Sequence, residues 1–238
     1  MSVTPTFAEQ LRQARDATHS KNHPYIRKWA QGELTRKQMG YYTVMHYHFV
    51  TEYLKWLAYI WAHCPVDEVR VHILDNLSEE EDPKDRHMDM ILDFCHACGY
   101  TPDAVRGATM LPGTEALVDW GWRLVYQRPW QVAITGLTIG LESQPPDIYR
   151  RITDSLSTHY GWSANDKAIR FFAGHIEADT VHSHRGFQIA EKYCDTPALQ
   201  AEALQAVAVA AQKRWNHMNG IYWYTLYGRT GDTPTDET

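Results

Sequence analysis

Residues 171–184 read FFAGHIEADTVHSH, and the segment carries the period of an α-helix. Each helical residue turns the chain by about 100°, so Asp179 and His182 fall within roughly 40° of His175, on a stripe about two turns long. Two imidazoles and a carboxylate that point the same way suit iron, manganese or zinc, which accept nitrogen and oxygen ligands without sulfur. Glu177 and His184 lie about 160° and about 180° from His175 and read as solvated or supporting residues. In a chain with 13 histidines the same triplet also arises by chance, with its side chains wetted or paired. The rest of a metal site has to come from other segments.

The chain has 238 residues, 44% hydrophobic and 22% charged, enough to bury a core without disulfides. Its formal charge of −6, with no basic run, gives no general attraction to nucleic acid or anionic lipid. A small-molecule partner is expected. Cys64, Cys95, Cys98 and Cys194 form no disulfide framework; Cys95 and Cys98 have CxxC spacing, but no second Cys or His pair completes a zinc site. Buried, reduced thiols are the expected outcome. The first twenty residues contain no signal-peptide core. The least polar run, near Val132 to Leu141, is short of the about 20 residues that cross a bilayer, so a cytoplasmic protein is expected.

Nearly every segment shows helical rather than alternating periodicity. Phe7, Leu11 and Ala14 mark a first helix, His23-Pro24 starts a short second one, and Thr35-Arg-Lys-Gln38 is a capping-box signature. The helix that follows carries Tyr42, Met45, Phe49, Tyr53, Trp56 and Ile60 on one stripe up to Cys64-Pro65. His46 and Glu52 beside it read as core-edge polar groups that find hydrogen-bond partners. A helix with Val69, Ile73 and Leu77 runs into the acids Glu79, Glu80, Glu81 and Asp82, where Pro83 interrupts it. A second piece continues through His87 to Gly99, a C-cap glycine. Further helices span Leu117 to Tyr126 and Pro129 to Glu142, where Pro145-Pro146 ends or offsets the run. The long helix through His175 then reaches Cys194, and an Ala- and Leu-rich one follows Thr196-Pro197. The expectation is a single all-α bundle over 1–228, with a disordered tail over 229–238.

Bundle sites take ligands from facing helices. Glu142 follows the uncharged run ITGLTIGL, so it either partners a metal inside the bundle or emerges into water at the helix end. Thr135, Thr138 and Ile139 lie near its face, while Gly136 and Gly140 let a neighbouring helix approach. Glu80 and His87 are seven apart and share a face only if the helix survives Pro83; otherwise the acidic run is a solvated helix end.

Glu80-x6-His87, Glu142 and His175-x3-Asp179-x2-His182, together with HPYIRKWAQGELT and LESQPP, resemble the heme-oxygenase-like diiron oxidases. These are fold relatives of thiaminase II and pyrroloquinoline quinone synthase, with a subgroup around the chlamydial death-domain-associating protein. The resemblance extends from about Phe7 to Tyr227. It implies a heme-oxygenase-like bundle of about seven to nine helices. It also implies two iron ions held by Glu80, His87, Glu142, His175, Asp179 and His182, with O2 as co-substrate, and it selects Glu80 over Glu79 and Glu81. An amino-acid-like substrate is implied, undergoing N-oxygenation or oxidative fragmentation to an alkene or nitrile in a biosynthetic pathway. Its carboxylate would need an Arg or Lys that the sequence does not single out. Phe171, Phe172, Ala168, Thr138, Ile139, Tyr25 and Ile26 are the expected pocket residues, and a homodimer is the expected assembly. Two alternatives stand beside this reading. A thiaminase-like cysteine is missing from the Gly136 to Glu142 region, and a metal-free quinone synthase would not need this carboxylate set. A self-sacrificing p-aminobenzoate synthase consumes its own tyrosine, and Ile26 stands at the matching position here, next to Tyr25. Leu141 and Phe171 match further pocket tyrosines of that branch.

Overall fold

The computed structural model describes residues 4–163 and 165–230, apart from the side chains of 177–182. Among them are eleven α-helices and no strand. They are α1 (Phe7–Asp16), α2 (Pro24–Ala30), α3 (Arg36–His63), α4 (Asp67–Glu80), α5 (His87–Ala97) and α6 (Pro102–Arg106), then α7 (Pro112–Gln127), α8 (Trp130–Leu137), α9 (Pro145–Tyr160), α10 (Arg170–Tyr193) and α11 (Pro197–Tyr227). The all-α architecture matches the expectation, and the helix count exceeds it. One reason is α6, five residues in what reads as connecting sequence. Pro102 fits its first turn and the Thr101 hydroxyl accepts from the Ala104 N–H, which is enough to cap so short a helix. Of the expected tail, residues 231–238 lie outside the described residues; α11 ends at Tyr227, with Gly228 in the left-handed conformation as its cap.

Local signals account for most helix starts. The Thr35 and Gln38 side chains form the reciprocal capping box at α3, and Pro stands in the first turn of α2, α6, α7, α9 and α11, where its missing N–H costs nothing. α3 packs against α4, α5, α7 and α11, while α10 lies along α9 and α8. One apolar cluster takes residues from Tyr25 on α2 to Ile221 on α11. A smaller one joins Ala8, Leu11, Ile139, Phe187, Ala190 and Val207. No helix among the described residues is long and apolar enough to cross a membrane.

Between α8 and the Ser143 turn the backbone forms a π-helical turn, Thr138–Glu142, in which the Ser143 N–H reaches back five residues to the Thr138 carbonyl at 2.9 Å. The turn lies against α11 because position 140 has no side chain: a Cβ there would sit 2.3 Å from Ala210 Cβ and 3.2 Å from the Val207 carbonyl oxygen. Gly140→Ala is therefore expected to lower unfolding free energy by about 1–3 kcal/mol through overpacking; an unchanged urea midpoint would contradict the close contact.

His217 on α11 is buried with Nδ1 2.9 Å from Thr114 Oγ1. Burial, reinforced by the Arg214 charge, pushes its pKa down to about 3. Below the unfolded value of about 6.5 the unfolded chain takes up a proton that the folded chain refuses, so this group's stabilisation is complete above that pH and declines as pH falls, by about 1.4 kcal/mol per unit. Urea unfolding from pH 7 to pH 5 should show the wild type losing stability faster than His217→Asn by about that slope; parallel curves would refute it.

Candidate metal centre

α4 ends at Glu80 and α5 begins at His87, so the Pro83-containing connection brings together two side chains that no continuous helix would align. His87 Nδ1 lies 2.9 Å from Glu80 Oε2, and His175 Nε2 from α10 lies 3.8 Å from Glu80 Oε1. One ligand atom from each of the three falls within 4.8 Å of the others. Glu80 and His175 are buried and His87 is partly so. Burial drives the His175 pKa down to about 4, against the opposing pull of Glu80, which keeps the imidazole neutral. Its Nδ1 lies 2.6 Å from the Phe171 carbonyl; carrying the proton there, it donates to that oxygen and leaves the Nε2 lone pair free on the Glu80 side. His87 Nδ1 is buried and makes no hydrogen bond despite its closeness to Glu80, the behaviour of donor atoms aimed at a shared point rather than at each other. Neutral imidazole with carboxylate is a set that iron accepts.

Glu142 is buried, at 7% exposure, so of its two possible fates the structure takes the interior one. It closes the π-helical turn, and its carboxylate accepts from the Tyr53 hydroxyl at 2.9 Å on Oε2 and from Asn76 Nδ2 at 2.7 Å on Oε1. It lines the same cavity as Glu80 and His175, although it falls outside the tight trio. Asp179 and His182 lie on α10 beyond His175, and their side chains are outside the described residues. His184 is exposed, as expected, and near Gln188 Nε2.

The cavity comprises about 400 Å³ including its mouth and is lined by His46, Phe49, Val50, Tyr53, Leu141, Pro145, Tyr149, Phe171 and Arg214 as well as the acids and His175. Of the expected pocket residues Phe171 is on that wall, and the others are elsewhere. Thr138 bonds the Ile134 carbonyl and abuts Gly186, and Ile139 belongs to the smaller apolar cluster. The π turn explains both: its extra residue rotates Glu142 relative to the α8 residues before it, which arithmetic at about 100° per residue does not anticipate. Phe172 packs against Trp29, Phe94 and Tyr149, and Ala168 packs at the edge of the main core. Tyr25 and Ile26 are wholly buried, with the Tyr25 hydroxyl donating to the Gln38 carbonyl at 2.5 Å.

Reading by sequence missed Asn76 and Arg214, and gave Tyr53 only a core role. Both missed residues carried a signal. Asn76 follows Val69 and Ile73 and precedes Glu80 on one stripe, and Arg214 interrupts the buried series Ala203, Val207, Ala210, His217, Ile221. A polar residue on an apolar stripe needs a partner. His46, read as a core-edge polar group, is buried with Nε2 3.3 Å from the Tyr149 hydroxyl and lies on the cavity wall; Glu52 pairs with Lys55 and accepts from the Trp122 indole, off the site. Tyr53→Phe removes one donor from the buried Glu142 carboxylate without changing shape. It should cost about 1–3 kcal/mol, and a urea midpoint equal to wild type would show that the bond contributes nothing.

Residues 41–215 match a family model described as an iron-containing redox enzyme. The chain is 31% identical over 229 residues to a 4-aminobenzoate synthase of Nitrosomonas europaea, 92% of each chain being covered. It is 30% identical over 183 residues to the protein of that name from Chlamydia trachomatis, covering 77% of this chain and 78% of the other. A pyrroloquinoline-quinone synthase of Pseudomonas putida is 25% identical over 226 residues, with 93% and 88% covered. Among solved structures, a TenA homologue from Pseudomonas syringae superposes with a TM-score of 0.81 at 17% identity over 92% of this chain and 93% of the other. A domain from Shewanella denitrificans described as having a heme oxygenase-like fold reaches 0.78 at 14% identity, covering 97% and 98%. The bundle has the heme-oxygenase-like fold.

Proposed function

We propose, because the chain belongs to the iron-containing redox enzyme family, that it is an O2-dependent non-heme diiron oxidase acting on a small amino-acid-like molecule. The observation that carries this reading is the convergence of Glu80, His87 and His175 from three helices, with Glu142 on the wall of the same cavity. Glu80, His87, Glu142, His175, Asp179 and His182 would hold the metal, with Asp179 and His182 continuing the His175 stripe of α10. Two Fe(II) ions, when bound, would supply the electrons that activate O2.

The protein's own part is positioning and exclusion. The Phe171 carbonyl fixes the His175 ring, while Tyr53 and Asn76 hold Glu142 at both oxygens. Such supporting bonds orient ligands and set their basicity. Phe49, Val50, Leu141 and Phe171 give the cavity an apolar lining, and an apolar wall strengthens electrostatic contacts made against it. Oxidative fragmentation to an alkene or nitrile, or N-oxygenation, are the outcomes this reading carries.

A second reading is favoured by the two relatives named 4-aminobenzoate synthase: single-turnover formation of p-aminobenzoate from the protein's own tyrosine. Against it, Leu141 and Phe171 line the cavity where that branch has tyrosines, and Tyr25 is not among the lining residues. It predicts one turnover and a lasting loss of protein mass, visible on an intact-mass spectrum.

Anaerobic Fe(II) titration tests the first reading. About two irons per chain are expected for a bundle site of this donor set, and fewer than about one after reconstitution would remove it. His182→Ala should lower the iron count and abolish O2 consumption with its helical circular dichroism unchanged; wild-type stoichiometry in that variant would exclude the role given to His182.

A further inference from the structure

Arg214 is the one buried cationic side chain among the described residues, at 3% exposure on α11. Eight of the other arginines are ion-paired at the surface. Arg15, Arg70, Arg86, Arg106, Arg128, Arg150, Arg170 and Arg185 each have a carboxylate within 4.0 Å and reach solvent. Around Arg214 no described carboxylate comes within that distance, and its Nε is buried without a hydrogen bond. Burial, then Arg214's own charge, holds both His46 and His217 neutral by pushing their pKa values far down. The Phe49 ring lies 6.0 Å from the guanidinium carbon, and the buried Tyr42 hydroxyl lies within reach of Arg214 and Tyr149. A buried guanidinium needs partners for its charge and its N–H groups, and Arg214 stands on the wall of the cavity that also holds Glu80, Glu142 and His175, with none of those carboxylates within salt-bridge distance.

We propose that Arg214 is the anchor for the carboxylate of the substrate, and that the cavity takes a small carboxylic acid with an apolar or aromatic body. The inference rests on the reading of this cavity as the oxidase site, and it adds which side chain selects the substrate and by what chemistry. A guanidinium offers two parallel N–H donors that match a carboxylate. Phe49, Val50, Leu141 and Phe171 then surround the apolar body. The carboxylate sits on the arginine instead of among the metal ligands, which leaves the rest of the molecule to face Glu80, Glu142 and His175. Arg214 is thus a specificity-determining residue with no part in the redox step.

The test is calorimetric titration of the full chain, metal-free and Fe(II)-loaded under anaerobic conditions, with matched acids and amides. The pairs are L-phenylalanine and L-phenylalaninamide, L-tryptophan and L-tryptophanamide, L-leucine and L-leucinamide, and benzoate and benzamide. At least one acid is expected to bind, with its amide weaker by about tenfold or more. Arg214→Gln should lose that acid by a similar factor, and Arg214→Lys should restore part of it. The proposal is overturned if no acid of the panel binds, if an amide binds as well as its acid, or if folded Arg214→Gln binds as wild type does. Should Arg214→Gln fail to fold, the acid and amide comparison on wild type decides alone. Iron titration of the same samples separates the two claims: carboxylate binding without iron would spare the anchor and sink the diiron reading, and iron without carboxylate binding would do the reverse.

Discussion

The constraint on which this structure turns is the burial of charge inside a helical bundle. Glu80 and Glu142 are each 7% exposed and His175 is 6% exposed, and groups of this kind are costly in an apolar interior unless each is hydrogen-bonded or paired. The bundle meets the cost locally. Phe171 accepts from the His175 ring, one turn back on the same helix; α3 and α4 each lend Glu142 a donor. Glu80 meets His87 through a break in the backbone rather than along a helix. Ending α4 at Glu80 and starting α5 at His87 frees the chain to fold back, so a short hairpin delivers an acid and an imidazole to one point.

How much of this can be read without coordinates depends on whether a feature is local. Helical period, the Thr35 capping box, the proline starts and the facing of Gly136 and Gly140 toward another helix are all properties of a few neighbouring residues, and they appear in the fold as written in the sequence. The burial of Glu142 was not decidable in that way, because it depends on Tyr53 and Asn76, which are 89 and 66 residues away in the chain. Thr138 and Ile139 lie off the cavity wall for a different reason: the π turn changes the rotation per residue just before Glu142, and nothing in ITGLTIGL announces it. Arg214 is the instructive case, since its place on the buried stripe of α11 was visible from spacing. Only the fold shows that the stripe faces a cavity that Glu80, Glu142 and His175 also line.

That last point connects the packing of the bundle to the chemistry of its site. Gly140 lies against Ala210 and Val207, and this contact sets how far α11 stands from the π turn. Glu142 follows Gly140 by two residues, and Arg214 follows Ala210 by one helical turn, so a single small-residue contact fixes the register between an acid on one element and the buried cation on another. Sliding α11 by one residue would turn Arg214 by about 100° and remove it from the wall. A side chain at position 140 would instead push the two elements apart and widen the space between them. The absence of a Cβ at Gly140 is therefore a condition for the shape of the cavity as well as for the density of the core.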